Sequence, residues 1–272
     1  VFVHGLLSTD LGVFDPFIAK LQSPPFFLAG FPHDTLTNIE ANGLMLAERL
    51  EKVTETHKVP VALVCHSRGG LVARLAAAML RKGGGDWNKQ LQKIVTFGTP
   101  HEGAELAESP PELIGMFVAL ASLSKGMPVS SLVDVLETVQ GPARSLGIED
   151  LRPLTGGGEF LKMLYKLERE VGRVPIVAVG GNRPPESPAS WLIHRALAQR
   201  PNDHVVELTS SKPALSFVEG VLAECDHFSY FTPPEDIRLG LAVNRINSLL
   251  PQGNAALLRR AAEIRARRDP PE

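Results

Sequence analysis

"VALVCHSRGG", residues 61–70, runs a hydrophobic stretch directly into a serine set among small and polar residues. Cys65-His66-Ser67-Arg68-Gly69 nearly matches Gly-x-Ser-x-Gly, the strand-to-helix turn that lifts a serine hydroxyl clear of a sheet. A cysteine stands where the first glycine usually does. It is larger than glycine and smaller than valine, so it fits a compact turn with modest strain. Ser67 is then either a nucleophile on a strained elbow or the ordinary N-cap of the helix that follows. The surrounding chain decides between these readings.

Runs of Val, Ile, Leu and Phe bounded by turn residues predict strands at 1–3, 26–29, 61–65, 93–97, 174–179 and 204–208. They alternate with helical patterns, which argues for βαβ units and a buried parallel sheet. In "TLTNIEANGLMLAERLEKV", Ile39, Gly43, Leu46, Leu50 and Val53 share one helical stripe, with Thr35 or Thr37 available as N-cap. A second helix is expected from Arg68 to Leu80. After "TFGTPHEGA" the alternation stops until the strand at 174–179, and helical patches at 111–123, 129–139 and 159–170 predict a helical insertion above the sheet. The expected organisation is a core first part over 1–105, a cap over 106–170, a core second part over 171–250 and a basic tail over 251–272.

The 272 residues suffice for one sizeable α/β domain. With 28 basic and 30 acidic residues the net charge is −2, which gives no bulk attraction to nucleic acid or anionic lipid. Cys65 and Cys225 are the only cysteines, too few for a disulfide framework and without zinc-ligand spacing, so a cytoplasmic location is expected. The most apolar stretch, "LIGMFVALASL" at 113–123, is shorter than the roughly 20 residues of a membrane span. The first residues read as a strand already under way, so the chain is expected to be part of a longer polypeptide.

In a parallel sheet, functional groups gather beyond the carboxyl ends of the strands, and the distinctive polar motifs fall there. Hydrolysis of an acyl bond needs a nucleophile, a base, a group to orient that base, and donors for the developing oxyanion. Ser67 is the candidate nucleophile. The backbone N–H groups of Arg68 and Leu6 are the candidate oxyanion donors, and His4 is read as a structural histidine. Nucleophile, acid, histidine is the required chain order, so the base is a late histidine: His227 in "ECDHFSYF" is preferred over His194 and His204. His66 is expected to point away from the nucleophile, and His33, His57 and His101 lie too early or on surfaces. Asp203, 24 residues before His227, is the favoured acid, with Glu186 and Asp226 as alternatives.

Taken together, "VFVHGLLS", "VCHSRGGLVAR", "VTFGTPHEG", "DLRPLTGGGEFLKML", "NDHVVELTSS" and "HFSYF" resemble the lipase-like branch of the α/β-hydrolase superfamily, in the family's order. The resemblance implies an α/β-hydrolase fold with a helical cap, a Ser67-Asp203-His227 triad, an oxyanion hole at Leu6 and Arg68, and an acyl-ester substrate. It also extends to hydrolase domains embedded in large multidomain bacterial proteins. His204 follows the acid where the family usually has glycine. Secreted members often hold calcium through an aspartate two residues after the histidine; Ser229 stands there, so no metal and no cofactor are expected. Thioester or amide cleavage uses the same groups, and the rival class is a catalytically silent binding module on the same fold.

Overall fold

Val61–His66 forms the central strand, β3, buried throughout except for half-buried Ala62. Cover on both faces explains its continuous rather than alternating apolar character. The computed structural model describes residues 1–6, 11–15, 18, 28–35, 37–57, 60–85, 87–108, 148–155, 158–185, 191 and 200–231. Among them β1 (Phe2–Val3), β2 (Gly30–Phe31), β3, β4 (Leu91–Phe97), β5 (Ile176–Gly181) and β6 (Val218–Ala223) form a six-stranded sheet ordered β2-β1-β3-β4-β5-β6. Every neighbouring pair is parallel.

Period-two alternation sends successive side chains to two apolar clusters. Leu63, Cys65, Ile94, Ile176 and Ala178 face the larger one, shared with α1 (Ile39–His57), α2 (Gly69–Lys82) and α4 (Glu159–Val171). Val64, Val95, Phe97, Val177 and Val179 face the other, closed by Phe14, Tyr230 and Phe231. Two single-turn helices, α3 (Trp87–Gln90) and α5 (Leu208–Ser211), complete the described elements beside three 3-10 turns. Among the described residues no helix is long and apolar enough to cross a membrane.

α2 starts against the sheet because Gly69 and Gly70 lack side chains. A Cβ on Gly69 would strike the Val3 and His4 carbonyls, and one on Gly70 would strike Thr99. The helix ends with Arg81 and Lys82 in its last turn, favourable to the dipole, and with Gly83 N–H donating to Met79 O at 3.0 Å. Leu71, Leu75 and Ala78 are buried in the larger cluster. Leaving such side chains in water would forfeit roughly 25 cal/mol per Å² of apolar surface.

Several details differ from expectation. The predicted strand at 204–208 is a tight turn running into α5: Asp203 Oδ1 accepts the N–H groups of Val205 (3.0 Å) and Val206 (2.7 Å), and His204 sits at φ 73°. The last strand among the described residues is instead β6, which begins ten residues after position 208. Of the strand expected at 26–29, residues 26 and 27 lie outside the described residues, and β2 begins only at Gly30. α1 is capped by Asn38, whose Oδ1 accepts from Ala41 N–H at 2.8 Å, while Thr37 donates to the Asp34 carbonyl at 2.9 Å. Val53 is 43% exposed; Thr54 takes the inward position, donating to Leu50 O at 2.9 Å.

Most of the expected cap, residues 109–147, lies outside the described residues. Its final helical patch is α4, which packs Phe160, Leu161, Leu164 and Leu167 into the main core. Arg74 of α2 clamps it with two bonds to Glu168, both 2.8 Å. Removing one partner of so buried a pair costs about 3–5 kcal/mol.

Candidate active site

β3 ends at His66, and the chain reverses into α2 through Ser67 at φ 54°, a left-handed conformation that costs a non-glycine residue about 1–3 kcal/mol. The strain is held from outside the turn. Ser67 N–H donates to Phe97 O at 2.8 Å, and Thr99 Oγ1 donates to Ser67 O at 2.8 Å. β4 therefore fixes a bend that the 65–69 segment could not keep alone. Cys65 beneath it is fully buried, and burial pushes its thiol pKa far up.

Ser67 Oγ donates to His227 Nε2 at 2.9 Å, and His227 Nδ1–H donates to Asp203 Oδ2 at 2.8 Å. Asp203 is wholly buried and His227 is 3% exposed, so the relay is shielded behind a half-buried serine. His227 N–H also donates to Asp203 O at 2.7 Å, which ties the two loops through their backbones. Burial alone would raise the Asp203 carboxyl pKa. The charge of His227 and its hydrogen bond, the Val206 N–H and the Tyr230 hydroxyl outweigh burial and hold the acid below its usual value.

The structure thus brings Ser67, His227 and Asp203 together. Asp226 is engaged elsewhere, pairing with Arg183 at 3.3 Å and accepting Phe228 N–H at 2.9 Å. Glu186 and His194 lie outside the described residues. His204 donates from Nε2 to Arg183 O at 3.0 Å. His66, expected to point away, makes no bond to Ser67, yet it serves the same loop: its Nε2–H donates to His227 O at 2.9 Å. His4 is buried, donates from Nδ1 to Gly5 O at 3.1 Å and stacks on His33 with ring centroids 4.1 Å apart. Burial lowers the His33 pKa to about 4.

The Leu6 and Arg68 N–H groups have no acceptor among the described residues. The Arg68 side chain runs the other way and donates to the Thr37 carbonyl. Desolvation lowers its pKa to about 10 against the pull of Asp150 and Asp34.

Sequence reasoning missed two residues. Tyr230 Oη donates to Asp203 Oδ2 at 2.7 Å and accepts Gly181 N–H at 2.6 Å. Gly98 adopts φ 58°, and a Cβ there would lie 2.8 Å from Asp203 Oδ2 and 2.9 Å from His227 Nδ1. Its place in "TFGTPHEG", at the end of β4, was the available signal. Among the described residues no cluster of His, Cys, Asp and Glu could hold a metal ion.

A parallel sheet with a left-handed serine between β3 and α2 and its companions on strand-end loops defines an α/β-hydrolase fold of the lipase-like kind. Within that class the chain belongs to the family described as "Domain of unknown function (DUF7379)", whose model matches residues 1–238. No curated protein matches the sequence.

Among solved structures it is similar to the mature form of Bacillus licheniformis lipase BlEst2, with TM-score 0.59 and 20% identity over 92% of this chain and 90% of that one. It is also similar to the metagenomic carboxyl esterase MGS0156, with TM-score 0.53 and 16% identity over 98% and 74%. A four-domain nonribosomal peptide synthetase, AB3403, matches with TM-score 0.51 and 14% identity over 92% of this chain and 19% of that one. At these identities the likenesses establish the fold.

Proposed function

We propose that the protein is a serine hydrolase of carboxylic esters. The observation that carries this reading is the unbroken relay from Ser67 Oγ through His227 to Asp203, at 2.9 and 2.8 Å, on a strained turn. Ser67 Oγ attacks the ester carbonyl carbon while its proton passes to His227 Nε2. The carbonyl oxygen takes the negative charge and is received by the Leu6 and Arg68 N–H groups. Asp203 stabilises the imidazolium. Collapse of the tetrahedral intermediate breaks the bond to the alkoxide, which leaves with the proton from His227. A water then gives its proton to His227, attacks the acyl-enzyme and releases the acid, restoring Ser67. The lipase and esterase neighbours support an ester as the substrate class.

Labelling with a fluorophosphonate tests the reading. The reagent is expected to modify the protein at Ser67, with no modification of Ser67→Ala. An unlabelled protein would instead mark a silent module. Graded p-nitrophenyl esters, with thioester and amide analogues beside them, then define acyl length and leaving group.

A further inference from the structure

A cavity of about 270 Å³ opens beside α4, lined among the described residues by Leu154, Lys162, Tyr165, Arg169 and Arg173. None of these belongs to the Ser67 relay. Three are cations and none is an acid, in a protein whose net charge is −2, so the charge here is local rather than a property of the whole surface.

The cations lack strong partners. Glu168 gives both carboxylate oxygens to Arg74 and makes a longer ion pair with Arg173, whose Nε stands 3.8 Å away, beyond hydrogen-bond reach. That Nε is buried with no acceptor. The Arg173 guanidinium is nevertheless held in place, 4.6 Å from the Phe217 ring centroid. Arg169 is exposed and has no carboxylate partner among the described residues. Among the described residues Lys162 pairs only with exposed Glu159, a contact that water largely screens. The remaining wall is apolar: Leu154 and the Tyr165 ring, whose hydroxyl already donates to His101 O at 3.2 Å.

We propose that this cavity binds a small organic phosphomonoester. Arg169, Arg173 and Lys162 receive the dianionic phosphate, and Leu154 and Tyr165 cover the organic group. Planar guanidinium donors suit phosphate oxygens. The volume lies at the small end of ligand pockets, which favours a compact ligand over a polymer.

Calorimetric titration with phenyl phosphate tests this, with inorganic phosphate and benzoate as separate arms. Phenyl phosphate is expected to bind saturably at one site, more tightly than either. Arg169→Gln, at an exposed and unpaired position, is expected to weaken it by at least about tenfold while leaving circular dichroism and Ser67 labelling unchanged. Arg173→Lys, which keeps the charge and loses the planar donors, is expected to weaken it as well. Equal affinity for inorganic phosphate would overturn the organic half of the assignment. No saturable binding, or binding undiminished in Arg169→Gln, would overturn it entirely.

Discussion

Tyr230 and His227 converge on one oxygen of Asp203: the Tyr230 hydroxyl donates to Oδ2 at 2.7 Å and the imidazole Nδ1–H at 2.8 Å. Burial and the neighbouring carboxylate push the Tyr230 pKa well above its ordinary value, so it remains a donor at any working pH. Tyr230→Phe removes one of the influences that hold Asp203 acidic. The acid limb of the kcat/KM profile is therefore expected to move to higher pH. A pH profile of the variant checks this; a fall in rate with an unmoved limb would assign Tyr230 to packing alone.

Asp203→Asn keeps an oxygen able to accept the Val205 and Val206 N–H groups, so the turn survives. On the proposed mechanism it removes the charge that steadies the imidazolium, and kcat is expected to fall by on the order of 10⁴-fold. The ionised acid also supports the fold. Because its folded pKa lies below the ordinary 3.8, that support is complete above 3.8 and is lost as pH falls through the folded value. Urea titrations of both proteins should therefore converge in acid and differ near neutrality.

Gly98→Ala is expected to abolish hydrolysis with little effect on expression. A methyl at φ 58° would intrude between Asp203 Oδ2 and His227 Nδ1, where no flexible side-chain end can yield. Measured esterase activity within tenfold of wild type would contradict this geometry.

Glu207 offers a stability test at a residue outside the Ser67–His227–Asp203 relay. Its carboxyl is pushed up to about 7, chiefly by burial and further by Glu105 and Asp203, and Oε1 has no hydrogen-bond partner. The folded state holds this proton more tightly than the unfolded chain does, so stability falls as pH rises from about 4.5 to about 7. Glu207→Gln is expected to flatten that slope, gaining on the order of 3 kcal/mol at pH 7 relative to wild type. Denaturant midpoints at pH 5 and pH 7 provide the measurement.

Cys65→Ala should leave the rate within a few-fold and cost ~1 kcal/mol, because the residue only fills space beneath the elbow. In the native wild type this thiol is expected to resist a disulfide reagent.

The elbow was readable because its causes are local: an apolar strand, a serine and two glycines that admit the helix. Asp203 and His227 were readable from chain order, since strand ends collect polar loops. β6 was hidden for a physical reason. Among the described residues it is an edge strand whose Glu219, Gly220 and Leu222 are exposed, so it lacks the apolar run of a buried strand. "HVVEL" has the better strand composition, but the Asp203 side chain takes its amide protons and bends it. Tyr230 and Gly98 act across the sheet on residues more than 25 positions away, and no window of sequence carries such contacts.

The bend at Ser67 is maintained by Phe97 and Thr99, on a neighbouring strand and the loop beyond it. A fragment ending after α2 would contain the whole elbow sequence and still lack the hydrogen bonds that hold its serine in the left-handed turn. The labelling rate of that one oxygen is thus a gauge of sheet assembly, able to register when β4 docks during refolding or when two halves of a split chain reassociate.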